Sequence, residues 1–158
     1  MTGLALLTVG RPSAGYIADG LADYAGRMKG YGGLELLCVR AAKAVKSRPP
    51  AQLMDEEAGR ILQKLDPRDM VWALDVAGRP WSSQRWADEL AAARLDGRRR
   101  VVLLVGGHLG FGPAALARAD RRVSLGAQTM AHELAALVVA EQIYRACAIL
   151  AGAPYHRA

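Results

Sequence analysis

Val101-Val102-Leu103-Leu104-Val105-Gly106-Gly107-His108-Leu109-Gly110 is a branched apolar run that breaks into a glycine-rich turn. Five consecutive apolar residues, three of them valine, read as a strand buried on both faces, as in a parallel sheet. Gly112-Pro113 then opens a short helix to about residue 119. Working outward, strand and helix patterns alternate along the whole chain. Residues 4–9, 34–39, 70–74 and 122–125 read as further strands. Residues 14–28, 51–65, 82–95 and 131–151 read as helices, the first with Ile17, Leu21 and Tyr24 on one face and the third with Ser82 or Ser83 as N-cap. Asp75 follows the 70–74 strand, and Asp66-Pro67 stops the helix before it. This alternation predicts an α/β fold with a mostly parallel sheet covered on both faces. Nothing marks a linker or a repeat, so residues 1–158 form a single domain.

Composition narrows the class. At 52% hydrophobic residues the chain is too apolar for a disordered protein. No uncharged apolar stretch of about 18 residues is present, so no membrane partner is expected. The N-terminus lacks the basic segment and cleavage site of a signal peptide, and a cytoplasmic protein is expected. Cys38 and Cys147 sit in separate apolar patterns and read as a buried, reduced pair. Three scattered histidines give no support for a metal site. The net charge of +6 fits a polyanionic partner, nucleic acid being the commonest. Lys43 to Arg48 and Arg98-Arg99-Arg100 read as solvated charge runs with a secondary role as phosphate contacts.

The candidate site lies in the last third. Gly106, Gly107 and Gly110 follow a strand end, where open α/β sheets bind ligands, although a plain tight turn is the alternative. Leu125-Gly126-Ala127-Gln128-Thr129-Met130 is small-residued and uncharged. Such a loop offers main-chain donors and acceptors to a heterocycle between apolar walls. It is otherwise a connection into the last helix. His132 stands at that helix's start, either aimed at a pocket or a surface histidine. Arg145 needs a partner on an apolar helix, and Glu141 one turn earlier is ready to form a structural ion pair. Tyr155-His156-Arg157 offers a stacking ring, an imidazole and a permanent cation, tools for holding a base and its phosphate, on what is otherwise a mobile end.

In order, these segments resemble the ribosomal RNA large-subunit methyltransferase H proteins of the SPOUT class. The resemblance rests on the strand-Gly-Gly-x-x-Gly turn, the Ser-Leu-x-x-x-Thr-x-x-His loop, the Glu-Gln-x-Tyr-Arg-Ala helix and the terminal Tyr-His-Arg. Val9-Gly10, Leu74-Asp75 and Gly78-Arg79-Pro80-Trp81 also fit. It implies a SPOUT fold with a deep C-terminal trefoil knot, working as a homodimer. It implies methyl transfer from S-adenosylmethionine to N3 of a pseudouridine in the large-subunit (23S) ribosomal RNA of the assembled ribosome. By motif, the cofactor would contact Leu74, Gly106, Leu125, Gly126, Ala127, Gln128, Thr129 and Met130. His132, Arg145, Tyr155, His156 and Arg157 would form the catalytic, target-facing side, the tail completing a site with the partner subunit. Two departures stand out: Ala131 replaces the family's usual proline before the loop histidine, and His108-Leu109 occupy variable positions. Two other readings remain: a non-catalytic ribosome-binding or assembly protein with this fold, or a SPOUT methyltransferase of another RNA.

Overall fold

In the computed structural model, residues 3–156 are described, with side chains through Tyr155. Five strands alternate with five helices: β1 (Gly3–Val9), α1 (Gly15–Arg27), β2 (Glu35–Val39), α2 (Pro50–Lys64), β3 (Met70–Pro80), α3 (Ser83–Leu95), β4 (Arg100–Val105), α4 (Pro113–Arg118), β5 (Arg121–Ser124) and α5 (His132–Leu150). Short 3-10 turns follow at Met28–Tyr31 and Pro154–His156. The strands pair in the order β2-β1-β4-β3-β5, and every pairing is parallel. All five carboxyl ends therefore lie on one side of the sheet.

Side-chain alternation divides the core into two layers. Leu4 and Leu6 of β1, Trp72 of β3 and Leu103 of β4 face α1, α3 and α5, which contribute Ile17, Leu21, Trp86, Leu90, Val139 and Ile143. Ala5 and Leu7, Val71 and Ala73, and Val102 and Leu104 face the opposite way, against Ala58 and Ile61 of α2 and Ala115 of α4. Both faces are dry, which is why β4 reads as an unbroken apolar run. Ser82 is the N-cap of α3, its hydroxyl accepting from Arg85 N–H at 3.1 Å. The start of α1 is held from outside. Glu133 of α5 accepts from Ser13 N (2.8 Å), Ser13 Oγ (2.9 Å) and Ala14 N (3.3 Å), and these bonds hold its carboxyl below the usual glutamate range.

Several expectations change. β3 does not end at Leu74 but continues to Pro80, so Gly78-Arg79-Pro80 belongs to a strand. Leu74 and Arg79 both stand opposite Val123, and the residues between them bulge out of register. Gly78 permits this, because a Cβ there would meet the main chain of Arg122 and Val123 at 2.6–2.7 Å. Cys38 is half-buried rather than buried, and both cysteines are free. Of residues 98–100 only Arg100 leaves solvent, its side chain 11% exposed, while Arg98 and Arg99 stay solvent-accessible but paired. Arg100 bridges Asp69 (3.1 Å) and Glu35 (2.8 Å), Arg98 pairs with Asp96 (3.0 Å), and Arg99 lies 3.5 Å from Asp66. Among the described residues no helix is long and apolar enough to cross a membrane.

Candidate functional site

A cavity of about 440 Å³ opens beside the β3 bulge, at the carboxyl ends of β4 and β5, within the ~300–1,000 Å³ typical of small-molecule sites. Two loops enclose it. The first is the turn after β4, closed by Gly110 N–H donating to Gly107 O at 3.0 Å, with Gly110 at φ +82°. The second is residues 125–130, which enter α5. Ser124 is buried and organises its start: Gly126 N–H donates to Ser124 Oγ (3.1 Å), and Ser124 Oγ donates to Gly126 O (2.9 Å).

The glycines create the cavity's floor by omission. A Cβ on Gly106 would meet the Phe111 ring at 3.2 Å and Gly110 main chain at 3.3 Å. A Cβ on Gly107 would lie 3.3 Å from Glu57 Oε2 and 3.3 Å from Val9. Gly106 and Gly107 therefore pack as bare main chain, leaving the space above them open.

Of the eight residues expected to hold a cofactor, Leu74, Gly106, Leu125, Gly126, Gln128 and Met130 line the cavity. Ala127 and Thr129 belong to the same loop but not to the cavity lining. Along residues 127–130 no hydrogen bond from elsewhere in the described chain engages the main chain. These largely exposed peptide groups are free to bond water or a ligand that carries a heterocycle with polar edges. This donor set fits S-adenosylmethionine: main-chain groups for the base, and Leu74, Leu125 and Met130 as apolar walls.

His132, the first residue of α5, also lines the cavity. Arg145 and Tyr155 do not. Arg145 donates to Glu141 Oε1 from Nε (3.0 Å) and Nη2 (2.6 Å), and Tyr155 OH donates to the same oxygen at 3.1 Å. The Arg145 guanidinium lies 4.9 Å from the Tyr155 ring centre, and Tyr155 packs edge-on against Tyr144 at 4.7 Å. Burial, a hydrogen bond with Tyr24 and the Glu141 carboxylate push the Tyr155 phenol well above its ordinary range. The ion pair expected at one-turn spacing is thus present, with the tail tyrosine folded onto it. Thirteen residues of helix separate Arg145 from His132, about 20 Å along the axis. The His156 side chain and Arg157 lie outside the described residues.

Sequence reading missed part of the wall. Met54 of α2, Phe111 and Leu116 line the cavity, as does the exposed His108. Arg122 pairs with Asp75 across the β3 bulge, Nε to Oδ2 at 2.9 Å, and both border the cavity. Asp75 at a strand end was a visible signal, whereas nothing near Met54 in sequence marks it.

Comparison with known proteins bears on the family and the fold. Residues 2–156 match the family described as "Predicted SPOUT methyltransferase". A protein named ribosomal RNA large subunit methyltransferase H from Anaeromyxobacter sp. (strain Fw109-5) is 42% identical, covering 98% of this chain and 99% of its own. The protein of that name from Alkalilimnicola ehrlichii is 42% identical over 97% of both chains, and that from Limosilactobacillus fermentum 38% identical over 96% and 98%. Among solved structures, a probable methyltransferase from Bordetella pertussis Tohama I superposes with a TM-score of 0.58 at 18% identity. It covers 92% of this chain and 95% of its own, a likeness of fold.

Proposed function

The chain belongs to the SPOUT methyltransferase family, and we propose that it methylates N3 of a pseudouridine in large-subunit (23S) ribosomal RNA, in the assembled ribosome, using S-adenosylmethionine. The observation that carries this reading is the cavity beside the β3 bulge, at the carboxyl ends of β4 and β5, walled by bare glycine main chain and by a loop with unpaired peptide groups. Relatives named for ribosomal RNA methylation match it over nearly their whole length.

S-adenosylmethionine supplies a methyl group already activated on a sulfonium, so the chain's task is alignment. Leu74, Gly106 and residues 125–130 hold the cofactor. N3 of the target would give up its proton as its bond to the methyl carbon forms and the methyl–sulfur bond breaks, the neutral thioether S-adenosylhomocysteine leaving. His108 and His132 line the cavity, and an imidazole there would be the group to take that proton. Asp75 lies in the same wall, but Arg122 holds its carboxylate.

The reading includes a homodimer and a C-terminal trefoil knot. Support for the dimer comes from α5. Arg145 and Tyr155 stand about 20 Å along the helix from His132, so within one chain they do not reach the cavity. A partner subunit's tail is the arrangement that joins both halves of the site. Family membership supports the knot, and a ribosomal substrate implies the cytoplasm.

Mass mapping of ribosomal RNA nucleosides, with and without the gene, tests the function. Methylpseudouridine lost on deletion and restored by the purified protein is the expected result. An unchanged map would overturn it. Calorimetry on the purified protein checks the cofactor, and absence of any S-adenosylmethionine binding sinks the assignment.

A further inference from the structure

The sheet separates the chain's two basic runs. Arg98, Arg99 and Arg100 sit at the amino end, and each is matched to carboxylates. Residues 40–48 leave the carboxyl end of β2, on the same side as the cavity. Contacts from α2 pin this loop. Arg60 donates to Arg40 O at 2.9 Å, Glu57 Oε1 accepts from Ala42 N–H at 2.9 Å, and Glu56 pairs with Arg48. Buried Glu57 also places the loop relative to the cavity, since its other oxygen lies against Gly107 of the cavity floor. The turn after β1 joins the same rim, with Gly10 N–H donating to Val39 O at 2.7 Å.

Lys43, Lys46, Arg11 and the Arg40 guanidinium are exposed on this rim. Among the described residues none of the four has a carboxylate within salt-bridge distance. The backbone beneath is fixed, while the cations on top are uncommitted. The rim and the cavity share the carboxyl-end side of the sheet, and cations there release counterions when they meet the phosphates of an RNA whose base enters the cavity. We propose that Lys43 and Lys46, flanked by Arg11 and Arg40, bind the phosphate backbone of the RNA beside the target nucleotide, and that the 98–100 run does not. This rests on the RNA-methylating function proposed above.

The test compares K43A/K46A with the unaltered protein in ribosome binding and methylation across a salt series. R98A/R99A serves as the distant control, and K43R/K46R as the charge-preserving one. Each phosphate contact contributes ~0.7–0.9 to the slope of log affinity against log salt. The lysine pair should therefore lower that slope by about 1.4–1.8 and raise KM with kcat and calorimetric S-adenosylmethionine affinity unchanged. K43R/K46R should restore both slope and KM, and R98A/R99A should keep the full slope. If the unaltered protein methylates ribosomal RNA and K43A/K46A retains its slope and KM, the proposal fails while the function stands. Equal loss of slope in R98A/R99A also overturns it. An unaltered protein that binds S-adenosylmethionine but neither binds nor methylates ribosomes breaks the function itself, and this proposal with it.

Discussion

The loops of residues 106–110 and 125–130 and the cluster around Glu141 occupy the same third of the chain, yet they are built in opposite ways. The loops offer main chain: glycines with no side chain to spare, and peptide groups that the chain leaves unpaired. Around Glu141 the side chains are already satisfied, one carboxylate serving both Arg145 and Tyr155. A site made of main chain is disabled by adding atoms, whereas a site made of paired side chains is disabled by removing them. The two halves should therefore respond to different substitutions, and cofactor affinity should depend on the first alone.

The largest effect is expected at the loops. Gly106→Leu puts a branched side chain where even a Cβ meets the Phe111 ring at 3.2 Å. Calorimetry should show S-adenosylmethionine affinity falling about 100-fold, ~2.7 kcal/mol, with cooperative unfolding retained. Affinity equal to that of the unaltered protein would break the distinction. Next is Glu141→Ala, which strips three donors, Arg145, Tyr155 and Gln142 Nε2, of their acceptor at once. Thermal unfolding should report a loss of about 2 kcal/mol with S-adenosylmethionine affinity unchanged, and a weakened cofactor would show that the halves are coupled within one chain. Tyr155→Phe is finer: it deletes the 3.1 Å hydrogen bond to Glu141 but keeps the ring against Tyr144 and Arg145. Its cost should be about 1 kcal/mol, and a cost as large as that of Glu141→Ala would mean that the tyrosine, not the ion pair, holds the cluster.

The smallest effect concerns the tie between α5 and α1. Glu133 has its carboxyl lowered by hydrogen bonds from Ser13 and Ala14. A carboxylate lowered in the folded state adds stability that is fully present above its unfolded pKa and lost as pH falls through the folded one. The melting temperature of the unaltered protein should thus drop more steeply on acidification below the ordinary glutamate range than that of Glu133→Gln. Parallel curves for the two would remove Glu133 from this role.

The sheet was legible because strands buried on both faces must be continuous apolar runs, as residues 101–105 are. The end of β3 was not. Residues 75–80 carry no apolar pattern, and what pairs Arg79 and Pro80 with β5 is main chain reaching past Gly78. The cavity loops were legible from glycines at a strand end, whereas Met54 reaches the wall from α2, about fifty residues earlier. Arg145 showed its partner at one-turn spacing. Arg99 and Arg100 did not, because Asp66, Asp69 and Glu35 gather around them only when the strand starts align.

The strand order also sets a timetable. β1 finds β2 within about thirty residues, but its other neighbour is β4, with Ala5 opposite Val102. At ~5–20 residues per second of synthesis, the second edge of β1 waits roughly 5–20 s before its partner has been translated. For that interval an apolar strand is left half-paired on a nascent chain. Delaying its collapse onto a wrong neighbour is therefore a problem of biosynthesis, separate from the stability of the finished sheet.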